Sequence, residues 1–345
     1  MGGNYTIPAG VTNIGDWAFA LCFNLVGVTI PAGVTSIGAD AFWNCYGLTN
    51  IAIPAGVTNI GEDAFSFCYG LAAITVDADN AFYGSTNGVL FDKSQSTLIQ
   101  YPLGGAGGSY AIPGSVTHLG DDAFAGAFLT NIMIPATVTS IGDYVFWNCH
   151  SLTGIAIPAS VTSISEGSFA SCDNLTSVTI PNSVTNIGES AFQSCTSLAS
   201  VTIPGSVTSF GVFAFESCAS LDGVYFTGNA PGVDSTVFES DNNTTAYYLP
   251  GSAGWDDFST NAGIPAVLWN PLIQTGDGGF GVQNNQFGFN ITGTNNFTVV
   301  VEACTNLAGP VWIPLQTNTL ANGFFSFSDP QWTNYPCRYY GLGFP

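Results

Sequence analysis

An Ile-Pro pair recurs along most of this chain, and the spacing of its prolines constrains the fold more than any other feature. The prolines are Pro8, Pro31, Pro54, Pro113, Pro135, Pro158, Pro181 and Pro204. The steps between them are 23, 23, 59, 22, 23, 23 and 23 residues; the step of 59 is one period with 36 residues added. A fixed period of this length marks units that cannot bury an apolar face alone and must stack on their neighbours.

Within each unit the same chemistry returns at the same offset from the proline. Val stands at three and Thr at four, from Thr12 through Thr35, Thr58, Thr117, Thr139, Thr162 and Thr185 to Thr208. Position six is Ile, with Leu119 and Phe210 as variants, and position seven is Gly except at Ser165. Position eleven is always Phe: Phe19, Phe42, Phe65, Phe124, Phe146, Phe169, Phe192 and Phe215. Position fourteen is Cys in seven of the eight units. Each unit closes on alternating apolar residues such as Val178-Thr179-Ile180, the pattern of a short strand with one buried face. Proline then ends the strand, because it cannot donate to a ladder. The glycine permits a sharp turn. The acid after it, as in Gly15-Asp16 or Gly188-Glu189, suits the start of a short helix carrying Ala-Phe. The expected fold is a solenoid with about 4.8 Å between rungs on the strand side and the eight phenylalanines in a column inside.

The repeated string Leu-x-x-[Ile/Val]-x-Ile-Pro-x-x-Val-Thr-x-Ile-Gly-x-x-Ala-Phe-x-x-Cys, followed closely over residues 7–226, resembles the bacterial surface-antigen type of leucine-rich repeat, the BspA-like repeat. The insert at 77–112, which contains GVLFDKSQSTLIQYP, resembles that family's hairpin insert. Spacing alone predicts strands at 89–91 and 97–101 around a turn at 92–96. Pro250 lies two periods after Pro204, and Val233 and Phe238 keep the Ile and Phe offsets. The solenoid is therefore expected over 1–250, with 227–250 as a degenerate ninth coil, and 251–268 reads as a linker. From Trp269 the period is gone. Alternating runs at 287–291, 297–304, 324–327 and 338–342 predict a small antiparallel β-sandwich over 269–345.

Charged residues make up 7% of the chain, against roughly 25% in an ordinary soluble domain. Lys93 and Arg338 are the only cations against 23 acids, a net charge of −21. Nothing here neutralises phosphates, which excludes nucleic acid and anionic membrane surfaces as partners. No apolar stretch is long enough to insert into a membrane. The opening MGGNYTIPAG has no basic or apolar signal region and starts inside the repeat. The resemblance implies an extracellular or cell-surface location, with any export signal outside this sequence.

Several residue groups invite a chemical role. Cys22, Cys45, Cys68, Cys149, Cys172, Cys195 and Cys218 stand in single file, and a file does not converge on a metal; they read as a buried thiol ladder, with no metal or cofactor expected. Cys304 and Cys337 are a candidate disulfide. His118 and His150 sit at different offsets, so no catalytic set forms around a base, and no enzymatic activity is expected. The acids Asp16, Glu62, Asp121, Asp143, Glu166 and Glu189 form a row explained by turn starts and solubility. Asp77-Ala-Asp79-Asn80 is half a calcium loop, without the glycine and the terminal Glu.

The aromatics Phe23, Trp43, Tyr46, Phe67, Tyr69 and Trp147 cluster near the turn after the column phenylalanine. Pointing outward, they would form an apolar patch for a protein or glycan partner. The reading implied by the resemblance is a non-catalytic surface protein for interaction or adhesion. The alternative is a filament subunit: Tyr5-Thr6-Ile7-Pro8 already matches a closing strand without a polar cap, so copies could stack head to tail. A remoter alternative is ice binding by the threonine ladder.

Overall fold

The structure, a computed structural model, describes residues 2–105, 107–293 and 297–343. Coils 1 to 8 are numbered here by their prolines, from Pro8 to Pro204. Each coil has three walls. The first is a parallel sheet of closing strands: Gly2–Thr6, Asn24–Thr29, Asn50–Ile53 and Ala73–Val76 at the amino end, then Gly108–Ala111 through Ser177–Thr179, then Ser200–Ile203 onward. The second is a row of two-residue strands, paired one coil apart as Asn13↔Ser36 and Ile14↔Ile37.

The third wall carries Ala-Phe and was expected to be helical. It is a run of tight turns instead. Residues nine and thirteen after the proline are left-handed in every coil, from Trp17 (φ 58°) and Leu21 (φ 60°) to Phe213 (φ 60°) and Ser217 (φ 59°). A left-handed residue every fourth position is incompatible with a right-handed helix. The freed amides donate to the next coil: Phe19 N to Ala41 O at 2.8 Å, Phe169 N to Ala191 O at 2.8 Å. This wall is thus also a ladder running along the stack.

Inside, the phenylalanines stack, but not as one column of eight. Phe19, Phe42 and Phe65 follow at centroid spacings of 5.1 and 5.7 Å. A second stack begins at Tyr101 and runs through Phe124, Phe146, Phe169, Phe192 and Phe215 to Phe238 at 5.1–5.6 Å. The insert causes the division. Its strand Val89–Asp92 pairs antiparallel with both Tyr83–Thr86 and Thr97–Gln100. Val89, Leu90 and Phe91 are all fully buried. By alternation, Val89 and Phe91 join the core of the later coils while Leu90 joins that of coils 1–3. The strand is a partition through the solenoid interior. Thr97–Gln100 then takes a coil's place in the second wall, pairing Thr97↔His118, and Tyr101 takes the ladder position, its amide donating to Ala123 O at 2.8 Å.

The cysteine column has a definite bonding pattern. Each buried thiol donates to the carbonyl of the phenylalanine one coil earlier: Cys45 Sγ to Phe19 O at 3.0 Å, Cys68 to Phe42, Cys149 to Phe124, Cys172 to Phe146, Cys195 to Phe169 and Cys218 to Phe192, all within 3.2 Å. Each of these carbonyls also accepts the amide three residues on, as Phe19 O does from Cys22 N at 3.1 Å; a small apolar side chain would fill the volume but give up the carbonyl's second hydrogen bond, which favours cysteine at the offset.

One period beyond Cys218 stands Asp241, 5% exposed, with neither carboxyl oxygen hydrogen-bonded. Burial, then the charge of Glu216, pushes its pKa up to about 7. The native state therefore holds a proton that the unfolded chain releases near 3.8. The associated stability is present below that value and is lost as pH rises through 7. Asp241→Cys is expected to stabilise the protein at pH 8 by roughly 2 kcal/mol, allowing for solvent that still screens the group, and to gain little at pH 4. Urea unfolding at the two pH values checks it, and an equal gain at both would contradict the assignment to ionisation.

Residues 251–268, expected as a linker, complete a further coil. Strand Ala266–Leu268 pairs parallel with Thr245–Tyr248, and a short helix, Phe258–Ala262, replaces the turn wall. Trp255, Phe258, Ala262 and Ile264 close the apolar interior at this end. The remaining segment forms two antiparallel sheets, one built on Gln286–Thr292 and one on Phe297–Cys304. Its core of Trp269, Phe289, Ile291, Val299, Val301 and Phe327 packs against Tyr225 and Tyr247 on the outer face of the last coils. The candidate pair Cys304 and Cys337 forms no disulfide here: both are free, Cys304 buried in the sheet and Cys337 facing solvent.

Candidate functional site: an aromatic corner on coils 1 to 5

The turn wall projects side chains outward on either side of its left-handed residues. Two linked rows of rings result. One runs Trp17–Trp43–Phe67–Trp147–Tyr144, with centroids 5.3–6.5 Å apart and mostly edge-to-face. The other runs Phe23–Tyr46–Tyr69–Phe128 at 5.1–5.6 Å. Phe67 and Tyr69 join them at 6.0 Å.

All six aromatics singled out from the sequence meet here. Their exposure is graded: Phe23 and Tyr46 are open, Trp43, Tyr69 and Trp147 half-buried, and Phe67 is buried beneath the others. Four members were missed: Trp17, Leu21, Phe128 and Tyr144. Trp17, Leu21, Phe23, Tyr46 and Phe128 each expose 45–55% of their surface.

Gly126 makes the corner continuous. Phe67 belongs to coil 3 and Trp147 to coil 5, and coil 4 places Gly126 between them. A Cβ at Gly126 would lie 3.3 Å from the Phe67 ring and 3.4 Å from that of Tyr69. Gly126 is also left-handed, at φ 75°, so glycine is suited on both counts.

Packing alone does not require this arrangement. Coils 6, 7 and 8 place Ala170, Ser171 and Asp173, then Gln193, Ser194 and Thr196, then Glu216, Ser217 and Ala219 at the same three offsets. Their internal stack is as close, at 5.1–5.2 Å. Coils 1–5 also put Trp17, Leu21, Phe67 and Tyr144 in left-handed positions, where bulky side chains are disfavoured and where coils 6 and 7 carry Gly167, Ser171, Ser190 and Ser194.

The other sequence candidates find structural roles. Asn80 is fully buried: its amide donates to Pro54 O and Val57 O at 2.9 Å, and its oxygen accepts from Phe82 N and Tyr83 N at 2.8 Å. The half calcium loop is thus a turn brace. The threonine hydroxyls donate along the ladder, Thr35 to Thr12 O and Thr58 to Thr35 O at 3.3 Å, which ties them to the backbone. His118 and His150 are both exposed and lie in different coils. Among the described residues no group of three or more His, Cys, Asp or Glu is placed to hold a metal, and no helix is long and apolar enough to cross a membrane.

The repeat matches the model of the BspA type leucine rich repeat region, in six copies over residues 3–99 and 117–245, and the chain belongs to that family. Among solved structures it is similar to a leucine rich cell surface protein from Faecalibacterium prausnitzii, at 37% identity and a TM-score of 0.62, over 66% of this chain and 60% of that one. It is also similar to the pneumococcal vaccine antigen PcpA, at 23% identity and a TM-score of 0.69, over 77% of this chain and 67% of that one, a likeness of fold. No curated protein matches the sequence.

Proposed function

We propose that this chain is a non-catalytic protein of the bacterial cell surface that holds a macromolecular partner at the aromatic corner of coils 1–5. One observation carries the reading: coils 6 and 7 build the same turn wall with no ring at any of these offsets, so the rings serve something other than the fold. Exposed, clustered aromatics beside a rigid backbone ladder are the residues that dominate binding interfaces. Membership of the BspA-type family, and likeness to a protein described as a cell surface protein, support the location.

The test replaces exposed rings with residues of the kind coil 7 tolerates. Trp17→Ser, Tyr46→Thr and Phe128→Thr together are expected to leave the melting temperature within a few degrees. On arrays of glycans and matrix proteins, the wild-type hits are expected to weaken at least tenfold, about 1.4 kcal/mol. Hits that survive the triple substitution unchanged would place binding elsewhere on the chain.

A further inference from the structure

The corner is bordered by carboxylates that pair with no Lys or Arg among the described residues. Asp16 adjoins Trp17, and Asp40, Asp63 and Asp122 occupy the same left-handed offset as Trp17 and Tyr144. Asp121, Asp143 and Glu166 stand one residue earlier in their coils. The Tyr144 hydroxyl donates directly to Glu166. Among the described residues only two ion pairs exist, His150–Asp173 and Arg338–Asp329. Arg338 is buried in the terminal sandwich, and the Lys93 ammonium donates to Ala78 O at 3.1 Å on the insert. Neither cation meets the border. The acids register one another: burial, then Asp63, Asp16 and Glu62, raise Asp40, while burial, and then Asp63 and Asp121, push Asp122 up to about 8, so that Asp122 keeps its proton at neutral pH and the border's charge is carried by the other acids.

We infer that the partner segment seated on this corner is a polypeptide rich in arginine and lysine. The inference rests on the corner being a binding surface. Two features then select the occupant. Exposed Trp and Tyr faces attract cations through the ring quadrupole, and a guanidinium stacks flat on such a ring while its N–H groups reach carboxylates beside it. The uncompensated border steers cations toward the rings and repels sulfated or uronic-acid chains. A neutral glycan would use the rings and leave the border idle; a basic segment uses both.

An arginine-rich octapeptide, titrated by calorimetry at physiological ionic strength with tryptophan fluorescence as second readout, tests this. The wild-type chain is expected to bind with quenching. The ring triple described above, and a border triple of Asp40→Asn, Asp63→Asn and Asp143→Asn, are each expected to weaken binding about tenfold. A remote triple of equal charge change, Glu239→Gln, Asp256→Asn and Asp257→Asn, is expected to bind within about twofold of wild type. Equal losses in the border and remote triples would reduce the effect to bulk charge and overturn the inference. So would a peptide that ignores the ring triple, or one that does not bind at all. If a neutral chitin or cellulose oligomer binds in a ring-dependent way while the peptide does not, the corner stands as a binding surface and its basic partner falls. Array hits indifferent to the ring triple would sink the binding surface itself.

Discussion

Raising the pH from 8 to 10 is expected to lower the unfolding free energy by about 5 kcal/mol through four thiols alone. Cys149, Cys172, Cys195 and Cys218 are fully buried, and each donates its S–H to a phenylalanine carbonyl. Burial pushes Cys149 and Cys195 up to about 12 from the ordinary 9.0, and Cys172 and Cys218 well above it. A thiolate would lose its donor and place a charge against a carbonyl. The folded pKa is raised, so the stability is whole below 9 and is lost as pH climbs toward 12. At pH 10 an unfolded thiol of ordinary pKa gains roughly 1.4 kcal/mol by ionising, and four such thiols give the total. Urea unfolding in the presence of a reductant, repeated across this range, reads it out. A variant with alanine at all four positions is expected to start less stable and to fall more gently. A slope that the four alanines leave untouched would assign the alkaline loss to other groups, such as Tyr110 and Tyr144, both raised to about 12.

The period made the solenoid legible because every wall position is written eight times. Position eleven had to be interior, since no column of eight phenylalanines survives in water, and the strand alternation set the register. The turn wall was misread for a reason that is also visible in the residues. Ala-Phe reads as helix-forming, but offsets nine and thirteen carry Asp40, Asn44, Asp63, Gly126, Asn148 and Gly167, the types that accept left-handed backbone. That signal was present and spoke against a helix. The helix that does occur, Phe258–Ala262, lies where no offset repeats, so the period could not announce it. The strand Ile313–Leu320 lies at a sheet edge with most of its residues exposed, and it lacks the alternation that marked its neighbours.

The candidate site was half legible for the same geometric reason. The six named aromatics all follow the column phenylalanine. Trp17 and Tyr144 precede it at offset nine and reach the same surface only because the backbone turns left-handed twice around that phenylalanine. The insert was legible as a hairpin, while its passage through the interior was not. Three consecutive apolar residues, Val89, Leu90 and Phe91, are the mark of a strand buried on both faces, and the sequence offered no sign of what lay on either side.

Phe169→Ala is expected to cost about 4 kcal/mol, toward the upper part of the range for deleting a buried ring. Phe169 is held between Phe146 and Phe192 at 5.2 Å each. The backbone around it is tied into the inter-coil ladder through Phe169 N to Ala191 O, and its carbonyl accepts from Cys195 Sγ at 3.2 Å. Those ties set the spacing of the coils, so the walls cannot close over the vacancy and the cavity term is paid in full. At the amino end Phe19 has one column neighbour, Phe42, and a tilted ring contact with Tyr5, and is 9% exposed. Phe19→Ala should cost about half as much. The partition strand adds a spatial expectation. Coils 1–3 have a core of their own, closed by Leu90, and meet the later coils otherwise through the surface rings Phe67–Trp147 and Tyr69–Phe128, and coil-to-coil stability spreads by nearest neighbours. Hydrogen exchange in the Phe169→Ala variant should therefore quicken through coils 5–8 and leave amides of coils 1–3, such as Phe42 N, close to wild type. Uniform loss of protection along the whole stack would mean that the partition does not divide the solenoid into separable blocks.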